Sequence, residues 1–310
     1  MKVMGKKLTG GCIRQRLIPL VFFGADYSAR GRTLTVAQLR RYGWQRDWSF
    51  EEIKEALQEL DLPSVEGTYY WGDPRSRQSG NTDLAKKFWR VARRRVNLFR
   101  WIPFVKLVGV MNSLAHDNVG KGSDIDCFIV ARQGRIWTVR AITLWCLRLL
   151  GWRAGKRKYL KISPDLFLSE DGMDLSQVGI PNDYLLAYWT ADFIPIYRTE
   201  FFRKFWQANS WLKITLPVAY RSPQYRPELE AKGGPFRFTI LIEKILGGKW
   251  GNNIEAKLKQ KQLGIIDRNV KKLGQNPLVL VDDKIVKIHF GDDKRYHLKA
   301  VVEEFLAEEV

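Results

Sequence analysis

Gly109-Val110-Met111-Asn112-Ser113-Leu114-Ala115-His116-Asp117-Asn118-Val119-Gly120-Lys121-Gly122-Ser123-Asp124-Ile125-Asp126-Cys127-Phe128-Ile129-Val130 is the stretch on which the fold turns. It closes one apolar run of strand length, residues 104–111, and opens a second, residues 125–130. A period of two inside the second run places Asp124 and Asp126 on one face of a strand, with Ile125 and Cys127 facing the other way. Two adjacent like charges repel, so the pattern asks for a compensating cation.

An all-oxygen donor set suits Mg²⁺ or Mn²⁺, and Mg²⁺ is usually held by one or two carboxylates together with substrate phosphates. Upstream, Asn112-Ser113 follows an apolar strand and precedes Leu114-Ala115, a helix start whose free amides can hold a phosphate. The Ser113 hydroxyl adds a donor for a terminal phosphate oxygen. Downstream, Asp165 lies in a third β-prone segment, Ile162-Ser163-Pro164-Asp165-Leu166-Phe167-Leu168, where a third carboxylate completes a two-metal site. Glu170, Asp171 and Asp174 compete with it for that role, and Pro164 also reads as an ordinary strand start. Lys121, in a Gly-flanked loop, and Arg140, one turn into the next helix, each read either as phosphate ligands or as surface cations. His116 has no Cys or His at ligand spacing, which argues against zinc.

Working outward, a helix at 136–150 separates the second and third strands, giving a β, β, α, β unit in a mixed domain of α+β class. Helices at 183–194 and 198–210 follow, with Trp189, Phe201, Phe202, Phe205, Trp206 and Trp211 as a core stripe. Ahead of the unit, residues 14–23 read as a helix. Thr35-Val36-Ala37-Gln38 and Ser49-Phe50-Glu51-Glu52 are capping boxes opening two more helices that end near Tyr42 and Leu60. A β-prone segment, 65–71, turns at Gly72-Asp73-Pro74. Three helices and a ribbon predict a winged-helix-like domain over 1–78, although its third helix is more acidic than a DNA-reading helix should be. Residues 79–103 form a basic connecting helix. Its Arg90, Arg93, Arg94 and Arg95 read equally as a nucleic-acid contact or as a solvated face. The mixed α/β domain spans 104–219. A Pro-, Arg- and Gly-rich linker, 220–235, then opens a C-terminal α/β extension, 220–310, of helices and a hairpin turning at Asp282-Asp283. There, His289, Asp292 and Arg295 cluster near a strand-to-helix turn, and capping and surface charge explain Asp292 and Arg295.

The 310 residues carry 52 Lys+Arg against 33 Asp+Glu, a net charge of +19, and are 45% hydrophobic. That composition excludes a disordered or fibrous chain and favours phosphate-rich partners, with the basic excess concentrated toward the N-terminus. Three scattered cysteines, Cys12, Cys127 and Cys146, exclude a disulfide framework and fit a reducing, cytoplasmic setting. No window is long and apolar enough for a membrane span, so no membrane partner is expected. The apolar run 17–23 is too short for a convincing signal peptide.

At Ser113, Asp124, Asp126 and Asp165 the chain resembles the nucleotidyltransferase superfamily that includes DNA polymerase β, CCA-adding enzymes and poly(A) polymerases. The likeness covers residues 104–170. Ser113-Leu114-Ala115, Asn118, Ser123-Asp124-Ile125-Asp126, Trp137 and Arg140 agree further with bacterial members that join a winged-helix-like region to this domain. The resemblance implies a polymerase β-like core in which Asp124, Asp126 and Asp165 are catalytic metal ligands. It makes Asn112, Ser113, Lys121, Ser123 and Arg140 nucleotide-binding residues, with an NTP as co-substrate. One departure is Asn112, which stands where the family has Gly. The expected activity is transfer of a nucleoside monophosphate to an acceptor hydroxyl, with tRNA-like RNA preferred as acceptor because the flanking regions are basic. The rival expectation is a catalytically silent protein of the same fold that binds nucleic acid or regulates a partner, in a toxin or antitoxin role among others.

Overall fold

A computed structural model describes residues 13–26, 32–71, 82–273, 278–289 and 294–308. The turn at 72–74, Cys12 and Asp292 lie outside them. The elements run α1 Ile18–Ala25, α2 Val36–Arg41, α3 Phe50–Glu59, β1 Ser64–Val65, β2 Thr68–Tyr69 and α4 Thr82–Arg95. They continue with β3 Val105–Val110, α5 Asn112–Ala115, β4 Ile125–Ala131, α6 Ile136–Leu149, β5 Ile162–Ser169, α7 Tyr184–Ala191 and β6 Ile194–Tyr197. Last come α8 Phe202–Ala208, α9 Leu212–Thr215, α10 Pro217–Arg221, α11 Arg237–Leu246, α12 Lys249–Leu273, β7 Leu278–Val281, β8 Ile285–His289 and α13 Lys294–Ala307. This is an α+β protein built on a mixed six-stranded sheet of order β6-β3-β4-β5-β8-β7.

Only β4 and β5 pair in parallel; every other neighbour in the sheet is antiparallel. Helices cover both faces. Phe128 and Val130 of β4 pack into one core with α1, α2, α3, α7, α8 and α13. Ile125, Cys127 and Ile129 pack into the other, with α4, α6 and α12. The strand therefore alternates with its period of two, and Asp126 shares the first face. In β3, Gly109 is required by close approach: a Cβ there would lie 2.2 Å from the Phe193 ring and 2.9 Å from the Ile194 carbonyl oxygen.

Both capping boxes form, Thr35 with Gln38 and Ser49 with Glu52, and the two helices end at C-caps Tyr42 and Leu60. The two-stranded ribbon β1-β2 follows, and Leu34 bridges Tyr69. The first helix is interrupted where its periodicity predicts a continuous one: residues 13–15 are helical, 16–17 turn, and the helix resumes at Ile18, because Pro19 lacks an amide donor and fits only a first turn. Its residues from Leu17 to Phe23 are all buried. The helix expected over 183–194 stops at Ala191, and Ile194–Tyr197 instead forms an edge strand, where Pro195 is tolerated. The linker expected at 220–235 is a strap bound to the body. Gln224 donates to Asp192 at 2.9 Å, Arg226 forks onto Asp117 at 2.9 and 3.1 Å, and the Ala231 amide donates to the Ile196 carbonyl at 2.8 Å. Arg295 is likewise buried, bonded to Asp183 and to the Val178 carbonyl, which corrects its reading as a surface charge.

The N-terminal helices are locked to the sheet layer through a buried polar cluster. Arg32 donates to His116 Nδ1 at 2.7 Å, so His116 carries its proton on Nε2, 3.3 Å from Asp192 Oδ2. Burial and the Arg32 charge hold His116 neutral, well below its usual range. Tyr42 donates to Asp192 at 2.5 Å. Removing that hydroxyl leaves a buried carboxylate short of a donor, so Tyr42→Phe is expected to cost about 2 kcal/mol of unfolding free energy. Loss of the half-buried cap in Ser49→Ala should cost about 1 kcal/mol. Urea titrations of the two variants check the order; equal losses would mean that Asp192 is satisfied without Tyr42.

Candidate active site

The site lies where β3 ends and β4 begins. The ladder carries one step past β3, with the Met111 amide donating to the Asp126 carbonyl at 3.2 Å. The chain then turns into the short helix Asn112–Ala115. Asn112 takes φ +60°, the left-handed conformation that Gly or Asn adopts most readily. Its amide nitrogen donates to Asp126 Oδ2 at 2.9 Å. Asp124 immediately precedes β4, and Asp126 lies inside it, nearly fully buried.

Asp165 reaches the same place through a β-bulge. Cys127 pairs with Pro164 and Phe128 with Leu166, so Asp165 is the extra residue opposite a single step of β4. Its register re-aims its carboxyl at Asp126, with which it is hydrogen-bonded. Ser163 also donates to Asp165, at 2.5 Å. β8 pairs only with Leu166 to Leu168, so Pro164 costs no ladder bond on that side.

The electrostatics follow from crowding and burial. Asp124 is pushed up to about 6, chiefly by desolvation and then by the charge of Asp126. Asp126 is driven well above the usual carboxylate range by desolvation and by Asp165, and Asp165 is raised mainly by its own burial. In the absence of a cation, Asp126 and Asp165 share a proton as a coupled pair. Lys158 opposes all three shifts.

Among the described residues no three or more His, Cys, Asp or Glu side chains already form a metal cage. The donor set nevertheless fits Mg²⁺ or Mn²⁺. It is all oxygen, and its three carboxylates are destabilised by their own proximity, as expected for an ion completed by water and substrate phosphate.

Of the other expected residues, Ser113 is half-buried in the short helix beside Asn112, with its carbonyl accepting from the Asn118 amide. Ser123 is buried, and its hydroxyl accepts from the Gly120 amide, closing the loop rather than facing the carboxylates. Lys121 is exposed on that loop. Arg140 donates to Gln262 at 2.5 Å and borders a separate cavity that Asp165 also lines. Trp137 is buried and donates to Asp283 at 2.9 Å, a packing role. On α4, Arg90, Arg93 and Arg94 point outward, and Arg93 and Arg94 line an open groove with Arg100, Glu228 and Glu230. Arg95 stacks on Trp152 and donates to the Leu160 carbonyl, so its role is to hold the 152–160 loop. Sequence reasoning missed Lys158 and Ser163. The only signal was the basic run around Lys156-Arg157-Lys158 just ahead of the third strand.

A carboxyl whose pKa is higher in the folded than in the unfolded protein binds more protons when folded. Stability then falls as pH rises from about 4 through the folded value. With Asp124 at about 6, its own contribution to stability should be lost between about pH 4 and pH 6. Asp124→Asn should remove about 1 to 2 kcal/mol of that loss, discounted for partial exposure. Thermal melts across that range check it, and parallel curves for the two proteins would contradict it.

Among the described residues no helix is long and apolar enough to cross a membrane. Comparison of the chain with protein-family models, with curated proteins and with solved structures finds no match in any of the three.

Proposed function

We propose that the chain is a metal-dependent nucleotidyltransferase that moves a nucleoside monophosphate from an NTP to an acceptor hydroxyl. The observation that carries this reading is the bulge that brings Asp165 onto Asp126 beside Asp124. The order β3, α5, β4, α6, β5, antiparallel then parallel, supports the finer reading of a polymerase β-like core. Three short helices and a ribbon support a winged-helix-like region ahead of it. The net charge of +19 favours RNA as the acceptor class.

In this reading Asp124 and Asp126 hold Mg²⁺ or Mn²⁺, which supplies charge neutralisation to the triphosphate and acidity to the attacking hydroxyl. Ser113 donates its hydroxyl to a terminal phosphate oxygen. Asp165, its proton affinity raised by burial, accepts the hydroxyl proton on a carboxylate oxygen. The acceptor oxygen bonds to the α-phosphorus while the bond to the bridging oxygen breaks, and pyrophosphate leaves.

One observation favours the second reading, a catalytically silent protein of this fold. The Asn112 amide already engages Asp126 Oδ2, on a backbone turn where the resembled family has Gly. Incubation with each α-labelled NTP, Mg²⁺ or Mn²⁺ and total RNA separates the two. Label on one acceptor with the wild type, reduced about a hundredfold or more in Asp124→Asn/Asp126→Asn, is the expected result. No label from a preparation that binds RNA equally well with and without the two substitutions would establish the silent protein.

A further inference from the structure

We propose that the cavity between α6, β5 and α12 is the acceptor pocket, and that it takes a phosphate ester of nucleotide size held by Arg140, Arg148 and Arg153. The acceptor role rests on the transferase reading; the binding claim rests on the geometry alone. The cavity has a volume of about 450 Å³ and is open at one side, within the range of sites for small organic ligands. Asp165 and Ser163 belong to its lining, whereas Asp124 and Asp126 do not border it. A ligand in the cavity therefore meets the catalytic cluster through Asp165, the residue assigned to the acceptor's proton.

The wall chemistry is divided. Leu144, Ile265 and Ile288 offer an apolar surface for a flat ring, and three guanidinium groups share the lining. None of the three arginines makes an ion pair with a carboxylate among the described residues. Arg140 bonds to the neutral Gln262 amide oxygen and lies 5.9 Å from the Phe167 ring centroid. Arg153 lies near enough to Arg140, and Arg148 to Arg153, that each weakens its neighbour's hold on its proton. Arg140 is the most desolvated of the set and is brought down to about 10.

Three like charges gathered around a cavity with no acidic partner among them are costly to the free protein. An anion with several acceptor oxygens removes that cost, and guanidinium forks match phosphate oxygens two at a time. Arg148 also stands in the last turn of α6, where a cation is favoured by the helix dipole, but that accounts neither for Arg153 nor for the half-buried Arg140. The loop of Arg153 is itself fixed, since that residue bridges Ile162 at the start of β5. The cavity thus presents a phosphate locus and an apolar ring locus, with a carboxylate in its lining.

A free mononucleotide and the terminal nucleotide of an RNA strand share this chemistry. The test measures equilibrium binding of adenosine and uridine monophosphate and of a short single-stranded RNA to the wild type, to Arg148→Gln/Arg153→Gln and to Asp124→Asn/Asp126→Asn. Arg148 and Arg153 are exposed, so their replacement leaves the core intact. The expected result is a loss of about tenfold or more in affinity for the better-bound ligand in the arginine variant, with a shallower salt dependence. The aspartate variant should retain binding. Preference for the mononucleotide or for the RNA identifies the source of the phosphate. Equal affinity of wild type and arginine variant for every ligand would overturn the site. Failure of the transferase reading looks different: arginine-dependent binding would persist while no labelled nucleotide reached the bound ligand, which would overturn the acceptor role alone.

Discussion

Three carboxylates crowded into a largely desolvated corner of a sheet are the constraint around which this structure is arranged. Each is penalised by burial and further by a neighbour's charge. The surrounding groups answer that penalty in part. Asn112 and Ser163 donate hydrogen bonds, Lys158 supplies a positive charge from the opposite loop, and a proton shared by Asp126 and Asp165 removes one negative charge. Such an arrangement destabilises the free protein and gains most from an added cation. That is the thermodynamic profile of a binding site rather than of a structural ion pair.

The rest of the fold explains how the corner is kept rigid. A parallel pair such as β4-β5 must be covered on both faces, and two helical layers provide the cover. The C-terminal hairpin protects what would otherwise be the open edge of β5, leaving Pro164 and the bulge just beyond its last pairing. On the opposite side, the Asp117 fork from Arg226 and the Trp89 indole fix the loop that carries the chain from Asn112 to Asp124. N- and C-terminal segments are thus both part of the scaffold of the site.

The capping boxes were legible because their hydrogen bonds are local, as was the alternation in β4, which needs only a period of two. The hairpin at 278–289 was legible as two short apolar runs either side of Asp282-Asp283. Strand β6 was hidden, since four residues containing Pro195 between two helices carry almost no periodic signal. Asp165 was legible as an acid in the right strand, but the bulge that aims it is a matter of pairing with β4 and has no one-dimensional trace. Lys158 and the strap at 220–235 belong to the same class, since their partners lie far away in sequence. Arg95 shows the converse: in an Arg cluster, sequence cannot tell the guanidinium that caps a carbonyl from those that face water.

Asn112 is the residue on which the two functional readings part, and its geometry bears on both. The turn demands a positive φ, which Asn adopts at lower cost than any other side chain, so the backbone path survives the absence of Gly. Its amide then falls within reach of Asp126 and relieves a buried carboxylate. A carboxylate offers about four lone-pair directions, and one amide bond occupies one of them. Asp126 therefore retains acceptor capacity toward a cation, the more so once the proton held with Asp165 is displaced. The steric side is separate, because the half-buried Asn112 side chain fills space next to Ser113 that a Gly would leave empty. In the proposed transferase the carboxylates remain free to coordinate a cation, and what the Asn112 side chain changes is the closeness with which a triphosphate approaches the backbone.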